Sequence, residues 1–219
     1  MHLDVQLADK PSAVERPIDR LVQDPRSIEP RLLSADNRIT SIFDQNIGQL
    51  LILGASGSGK TILFLELSEA LLIRARKDRA QPIPVVFILS SWAAKRLPLA
   101  EWLVAELNNL YGVDHELARS WIDKDSIIPL LDGLDEVASA HREACVHAIN
   151  AFHKNRGFLP IVVCCRSEVY ESLSKRSVKL QLQAAVELQP LGLRSTSAPV
   201  ASLLAACNKR SIAIPGYGS

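Results

Sequence analysis

The stretch from Gln49 to Ala75 constrains the chain more than any other. Gln49-Leu50-Leu51-Ile52-Leu53 is a short apolar run of strand size. The residues that follow are rich in glycine and serine, and Thr61 to Ala75 is a Leu-rich segment without glycine or proline. A buried strand that feeds through a tight loop into a helix is the opening half of a βαβ unit, and such units build parallel sheets covered by helices. The loop, Gly54-Ala55-Ser56-Gly57-Ser58-Gly59-Lys60-Thr61, fits the phosphate-binding pattern G-x-x-x-x-G-K-[ST] at every position. Gly54, Gly57 and Gly59 let the backbone turn sharply, so that the N–H groups of the loop, Ala55, Ser56 and Ser58 included, meet phosphate oxygens. Lys60 adds a point charge near the β- and γ-phosphates, and the Thr61 hydroxyl is placed to hold a magnesium ion. The following helix turns its N-terminus toward the bound anion. The pattern predicts a nucleoside triphosphate as ligand.

Downstream, strand-like runs alternate with helical segments. Pro84-Val85-Val86-Phe87-Ile88-Leu89 reads as a buried strand ended by Ser90 and Ser91. Apolar residues Leu99, Trp102, Leu103, Leu107 and Leu110 recur at helical spacing, with Pro98 suited to the first turn and Gly112 to the end. Asp114 can cap a shorter helix running to about Asp123. Ile127-Ile128-Pro129-Leu130-Leu131 is a third strand, with Pro129 an oddity for a central position. Ser139 can cap a helix over Ala140–Arg156 closed by Gly157, Ile161–Cys165 is a fourth strand, and Val186-Glu187-Leu188 a fifth. The expected architecture is a three-layer α/β fold of the P-loop NTPase kind, with a central parallel sheet of about five strands flanked by helices. A chain of 219 residues suits one such domain. Residues 1–37, with scattered prolines and charges, are expected to form an irregular arm docking near Ile39–Phe43. Residues 38–191 form the domain. Residues 192–219, which lack any Asp or Glu, are expected to be a divergent tail.

Composition narrows the partners. A formal net charge of +1, from 25 basic and 24 acidic residues, argues against nucleic acid as the main partner. The basic cluster Arg74-Ala75-Arg76-Lys77-Asp78-Arg79 falls at the C-terminal end of a predicted helix, where cations offset the helix dipole. Apolar runs are of strand length, well short of the roughly 18 residues of a membrane span. The Met1-His2-Leu3-Asp4 start lacks the regions of a signal peptide, so a cytoplasmic protein is expected. The four cysteines show no C-x-x-C spacing; Cys164 and Cys165 are adjacent in a strand, which turns them to opposite faces as core thiols. His141, His147 and His153 recur every six residues, about 240° apart on a helix, so no metal site follows from them.

The third strand delivers Asp132-Gly133-Leu134-Asp135-Glu136. A carboxylate at the end of an apolar strand is the second half of a P-loop ATPase site, where Asp132 reaches magnesium directly or through water. Two further carboxylates around one turn repel unless a cation or proton compensates them, and that crowding points to function.

Leu130-Leu131-Asp132-Gly133-Leu134-Asp135-Glu136 resembles the signature of NACHT domains, which belong to the STAND class of signalling ATPases. Leu51-Ile52-Leu53-Gly54, Pro82–Trp92 and Val162–Tyr170 are similar to bacterial, especially cyanobacterial, members, and the resemblance covers about residues 38–191. It implies a parallel sheet whose fourth strand lies between the phosphate-loop strand and the strand of Asp132. It further implies Arg166 as a γ-phosphate sensor, and Asp135 or Glu136 beside the attacking water. Members continue past the equivalent of Glu187-Leu188-Gln189-Pro190-Leu191 into a helical lid, a winged helix and usually a sensor of repeats. Here Gly192-Leu193-Arg194-Ser195 follows instead, so the expectation is a nucleotide-binding core without the switching parts, a fragment of a larger switch. The resemblance implies ATP/ADP and Mg2+ as cofactors, protein partners, and a nucleotide-dependent oligomer. Two functions stay open at this point: slow Mg-dependent ATP hydrolysis in signalling, or a structural or interaction module that holds nucleotide without significant turnover. A GTPase reading fails on Asp135, which stands where Asp-x-x-Gly needs glycine, and on the absence of [NT]-K-x-D near Asp123-Lys124-Asp125.

Overall fold

The computed structural model describes residues 7–15, 39–157 and 159–188. The chain enters with strand β1 (Leu7–Asp9) and, after residues 16–38, helix α1 (Ile39–Gln45), followed by β2 (Gln49–Gly54) and α2 (Lys60–Lys77). Next come β3 (Ile83–Ile88), the short α3 (Trp92–Lys95), α4 (Leu99–Tyr111), α5 (His115–Asp123) and β4 (Ile127–Asp132). The described chain ends with α6 (Ser139–Lys154), β5 (Ile161–Arg166), α7 (Ser167–Ser174) and β6 (Ala184–Leu188). Six strands form one sheet in the order β1-β6-β2-β5-β4-β3. The strands β2 to β6 run parallel, and β1 joins β6 antiparallel.

Alternation along each strand divides the interior into two layers. Leu51, Leu53, Phe87, Leu131, Val163 and Cys165 face one side, where Trp102, Leu103, Leu107, Ile149 and Tyr170 from α4, α6 and α7 cover them. Leu50, Ile52, Leu130, Val162 and Cys164 face the other, covered by Ile39, Ile42 and Phe43 of α1 and by Leu63, Phe64, Leu67 and Leu71 of α2. Strands buried on both faces read as continuous apolar runs, which is why β2 and β5 carry no polar alternation. Cys164 and Cys165 accordingly lie in opposite layers.

Local signals act where the sequence places them. Asp114 accepts the N–H groups of Glu116 and Leu117 at the start of α5, and Gly112 ends α4 in the left-handed region at φ 66°. Ala138 rather than Ser139 occupies the N-cap of α6, with no side-chain cap bond. Pro129 lies inside β4 opposite Val85. The ladder to β5 begins only after it, at Leu130↔Val162, because proline has no N–H to donate.

Of the irregular arm expected over residues 1–37, residues 7–15 are described and form regular structure; residues 1–6 and 16–37 lie outside the described residues. Leu7, Ala8 and Asp9 pair with Leu188, Glu187 and Val186, adding a sixth strand on the edge that β6 would otherwise expose. A 3₁₀ turn over Pro11–Ala13 follows, and Glu15 N–H donates to the Leu180 carbonyl at 2.9 Å. Lys10 Nζ lies 2.9 Å from Glu187 and 3.0 Å from Glu171, fastening the segment to β6 and α7. Leu7 enters the same buried layer as Ile39, Ile42 and Phe43. The reason is backbone pairing: an open strand edge beside an apolar layer offers three residues both hydrogen bonds and burial, a gain that residue-type patterns do not register. Residues 192–219 lie outside the described residues. Among the described residues no helix is long and apolar enough to cross a membrane.

Leu7 is 4 % exposed, so Leu7→Ala is expected to lower unfolding free energy by about 2–3 kcal/mol, toward the low end for buried leucines. Urea denaturation followed by circular dichroism measures it, and an unchanged midpoint would show that β1 is not part of the cooperative unit.

Candidate functional site

Parallel strands carry their C-terminal ends to one edge of the sheet, and α/β folds bind ligands there. At that edge β2 leads into the loop Gly54–Gly59. Gly59 sits at φ 93°, a conformation closed to most side chains, and it is the residue from which α2 starts. Gly54 is constrained differently. A Cβ there would lie 2.5 Å from Ser58 Oγ and 3.2 Å from Lys60 Cγ, so the loop can fold back on its own strand only over a glycine. Ser58 is buried and its hydroxyl has no hydrogen-bond partner among the described residues. Ala55, Ser56, Gly57 and Thr61 are exposed on the loop and the first turn of α2. That turn contains no acidic residue, leaving the positive end of an 18-residue helix uncompensated by carboxylates of its own. Lys60 Nζ donates to the carbonyls of Gly54, at 2.8 Å, and Ala55, at 2.6 Å. The ammonium is thereby held across the mouth of the loop.

Asp132 ends β4, with β5 between it and the loop strand. The register sets Gly54 of β2 directly beside Arg166 of β5, and Leu131 of β4 beside Val163. The resulting order is the one the NACHT resemblance implies. Burial is the main influence on Asp132 and raises its pKa above the ordinary carboxylate value. The Asp135 charge pushes the same way, while hydrogen bonds from the Cys164 thiol and the Gly133 N–H, and the charge of Lys60, oppose it. The Cys164 thiol is in turn held well above its usual range, first by burial and then by Asp132, so it stays a donor to that carboxylate. Cys164 was expected as an inert core thiol; its place beside Asp132 follows only from strand order.

The turn after β4 separates the two remaining carboxylates. Gly133 adopts φ 78°, and a Cβ on it would meet Glu136 Cδ and Oε2 at 3.1 Å. The Glu136 carboxylate thus folds over the glycine, on an exposed residue. Asp135 points back into the fold: its side chain is 9 % exposed, and Oδ2 lies 2.7 Å from Arg166 Nε. Its Oδ1 accepts the Arg166 backbone N–H at 3.1 Å. Arg142 of α6 donates to the Asp135 carbonyl at 2.8 Å. Arg142 went unremarked in the sequence because nothing in its spacing marks a helix residue that reaches back to a neighbouring turn. The structure thus gathers the loop, Asp132, Asp135, Glu136 and Arg166 at one edge. His147 is exposed beside Glu143, and His153 is buried at the far end of α6.

No protein family and no curated protein matches the chain. Among solved structures it is similar to the DnaC helicase loader, at 16% identity and a TM-score of 0.42, over 68% of this chain and 86% of that one. It is similar to Drosophila ORC bound to DNA, at 18% identity and a TM-score of 0.36, over 65% of this chain and 38% of that one. C. elegans PCH-2 matches at 15% identity and a TM-score of 0.36, over 65% and 37% respectively.

The groups at this edge fit a magnesium nucleotide: a cradle that a side chain at Gly54 would fill, a buried hydroxyl without a hydrogen-bond partner among the described residues, and a half-buried carboxylate at the end of β4. The Asp132 shift carries a stability consequence. Its folded pKa is raised above the unfolded value, so ionisation at neutral pH costs folded-state stability, and that cost fades as pH falls through the folded value. Asp132→Asn is expected to raise the melting temperature of the nucleotide-free protein at pH 7 to 8, with a smaller gain on acidification. Were ATP with Mg2+ to bind at this edge, the variant should lose the further stabilisation that binding would add. Differential scanning fluorimetry across pH checks both; a lower melting temperature at neutral pH would contradict the assignment of Asp132 as a carboxylate held against its desolvation cost.

Proposed function

We propose that the chain is an ATP-binding, slowly ATP-hydrolysing signalling module of the NACHT/STAND kind. The observation that carries this reading is the convergence of Lys60, Asp132 and Arg166 on one sheet edge, brought together by the β2–β5–β4 order. In this reading the N–H groups of Gly54 to Thr61 surround the phosphates, and Lys60 leaves the carbonyls of Gly54 and Ala55 to meet the β- and γ-oxygens. Thr61 and Asp132 would hold a Mg2+ ion, which would supply positive charge to offset that developing between the phosphates. Glu136, exposed and free of ion pairs among the described residues, orients the attacking water and accepts its proton. Arg166 senses the γ-phosphate from β5. The protein supplies positioning and electrostatic stabilisation rather than covalent chemistry. ATP is favoured over GTP because no guanine-reading Asp follows a strand. Protein partners and a nucleotide-dependent oligomer belong to the same proposal.

Lys60→Ala is expected to weaken ATP–Mg2+ binding by about 1.5–3 kcal/mol, the range of a charge-assisted hydrogen bond, or about tenfold to a hundredfold. Isothermal titration calorimetry on the folded variant measures this, and unchanged affinity would refute the phosphate-loop assignment. Glu136→Gln is expected to bind ATP–Mg2+ like the parent while phosphate release slows about a hundredfold or more, the usual contribution of a general base. Parent-like turnover in that variant would remove Glu136 from the mechanism. A parent that binds ATP but releases no phosphate would leave a nucleotide-holding module without turnover.

A further inference from the structure

Asp135 and Glu136 are adjacent carboxylates, and the site treats them oppositely. Both Asp135 oxygens are committed to one residue. Oδ1 accepts the Arg166 backbone N–H at 3.1 Å, and Oδ2 faces Arg166 Nε at 2.7 Å. The turn that carries Asp135 is itself pinned, since Arg142 donates to its carbonyl at 2.8 Å. A carboxylate that is 9 % exposed and doubly engaged has little room for a water. Arg166 is gripped through its main chain and through Nε, the root of the guanidinium fork. Among the described residues its two terminal nitrogens have no hydrogen-bond partner, and its side chain is 51 % exposed. A guanidinium anchored in this way keeps two parallel donors for an anion. The register places it beside Gly54, where the phosphate loop begins.

We propose that Asp135 is a positioning residue that presets Arg166 for the terminal phosphate and takes no part in orienting water. The proposal rests on the nucleotide-binding reading above. Its consequence is that Asp135, without touching nucleotide, controls how strongly the site prefers a triphosphate to a diphosphate. A free arginine side chain must lose rotamer freedom when it captures a phosphate; one already held by a buried carboxylate has lost most of it beforehand. Asp135→Asn keeps the shape and an acceptor for the Arg166 backbone N–H but removes the charge that fixes Nε.

The test is equilibrium binding of ADP and of the non-hydrolysable β,γ-imido analogue of ATP, each with Mg2+, so that turnover plays no part. The parent is expected to prefer the analogue. Arg166→Ala and Asp135→Asn should each reduce that preference about tenfold, the loss of one charge-assisted contact. The double variant Asp135→Asn/Arg166→Ala should lose no more than Arg166→Ala alone, because the two residues act as one unit. Arg166→Lys, which leaves Asp135 in place and retains the charge but lacks Nε, should lose the preference too, and it serves where Asp135→Asn fails to fold. The proposal is overturned if Asp135→Asn or Arg166→Lys keeps the preference, if the losses in the double variant add, or if the parent binds both nucleotides alike. A parent that binds neither nucleotide would instead bring down the nucleotide-binding reading itself, a result distinct from all of these.

Discussion

The in-register pairing of β2 with β5, from Gln49↔Ile161 to Gly54↔Arg166, is the constraint on which the rest of the structure depends. It sets at the centre of the sheet two strands that are buried along almost their whole length. It also sets the spacing at the functional edge, because β5 is the spacer between the strand that enters the phosphate loop and the strand that ends in Asp132. A slip of one residue would turn every side chain of β5 to the other face. Cys164 would leave Asp132, Arg166 would leave Asp135, and both apolar layers would be broken at the same stroke. Core packing and site geometry are therefore protected by the same register.

The edge itself is assembled from groups that partly compensate one another. Asp132, Asp135 and Glu136 crowd one turn, and three different devices keep that turn folded. Asp132 is held by the Cys164 thiol and the Gly133 N–H against a burial that still raises its pKa. Asp135 is neutralised by Arg166. Glu136 is turned outward over Gly133, which has no Cβ to obstruct it. Opposite them, Lys60 rests on loop carbonyls, a weak set of partners for an ammonium and one that a phosphate would replace with stronger ones. The burial cost at Asp132 and the carbonyl-only partners of Lys60 are each of a kind that an ion of opposite sign would relieve.

The N-terminal segment extends the same structural logic to the other side of the sheet. Lys10 joins Glu187 and Glu171, and Ser167, the residue after Arg166, donates to Glu187. Glu187 pairs in the ladder with Leu53, immediately before the loop. The strand that caps the sheet edge is thus tied to the residues that support the phosphate loop and Arg166. Desolvation works against the charged form of Glu187, yet hydrogen bonds from Lys10 and Ser167 and the Lys10 charge bring its pKa below the ordinary value; desolvation works against the Lys10 ammonium too, and Glu187 and Glu171 raise its pKa. Each charge is kept ionised by the other.

What residue order alone determined had local causes, although the Ser139 cap shows that a local signal can miss by one residue. The tight glycine-rich loop between a buried strand and a helix was legible because Gly54, Gly57 and Gly59 separate an apolar run from a Leu-rich segment. The parallel sheet followed from apolar runs separated by helices, and the α5 cap from Asp114. Asp132 stood out as a carboxylate ending a buried strand. Only the tertiary structure decided what depends on contacts between distant segments. It assigned Asp135 to Arg166 and left Glu136 outward, a distinction that two adjacent acids cannot reveal, because it depends on which strand lies alongside. It gave Cys164 a partner in Asp132 and brought Arg142 to the Asp135 carbonyl. It also made a strand of Leu7–Asp9, three residues too few to show any period, whose conformation is set by the open edge of β6 some 180 residues away in sequence. Hydrogen-bonding and charge complementarity across such separations are properties of the assembled sheet, and no window of residues contains them.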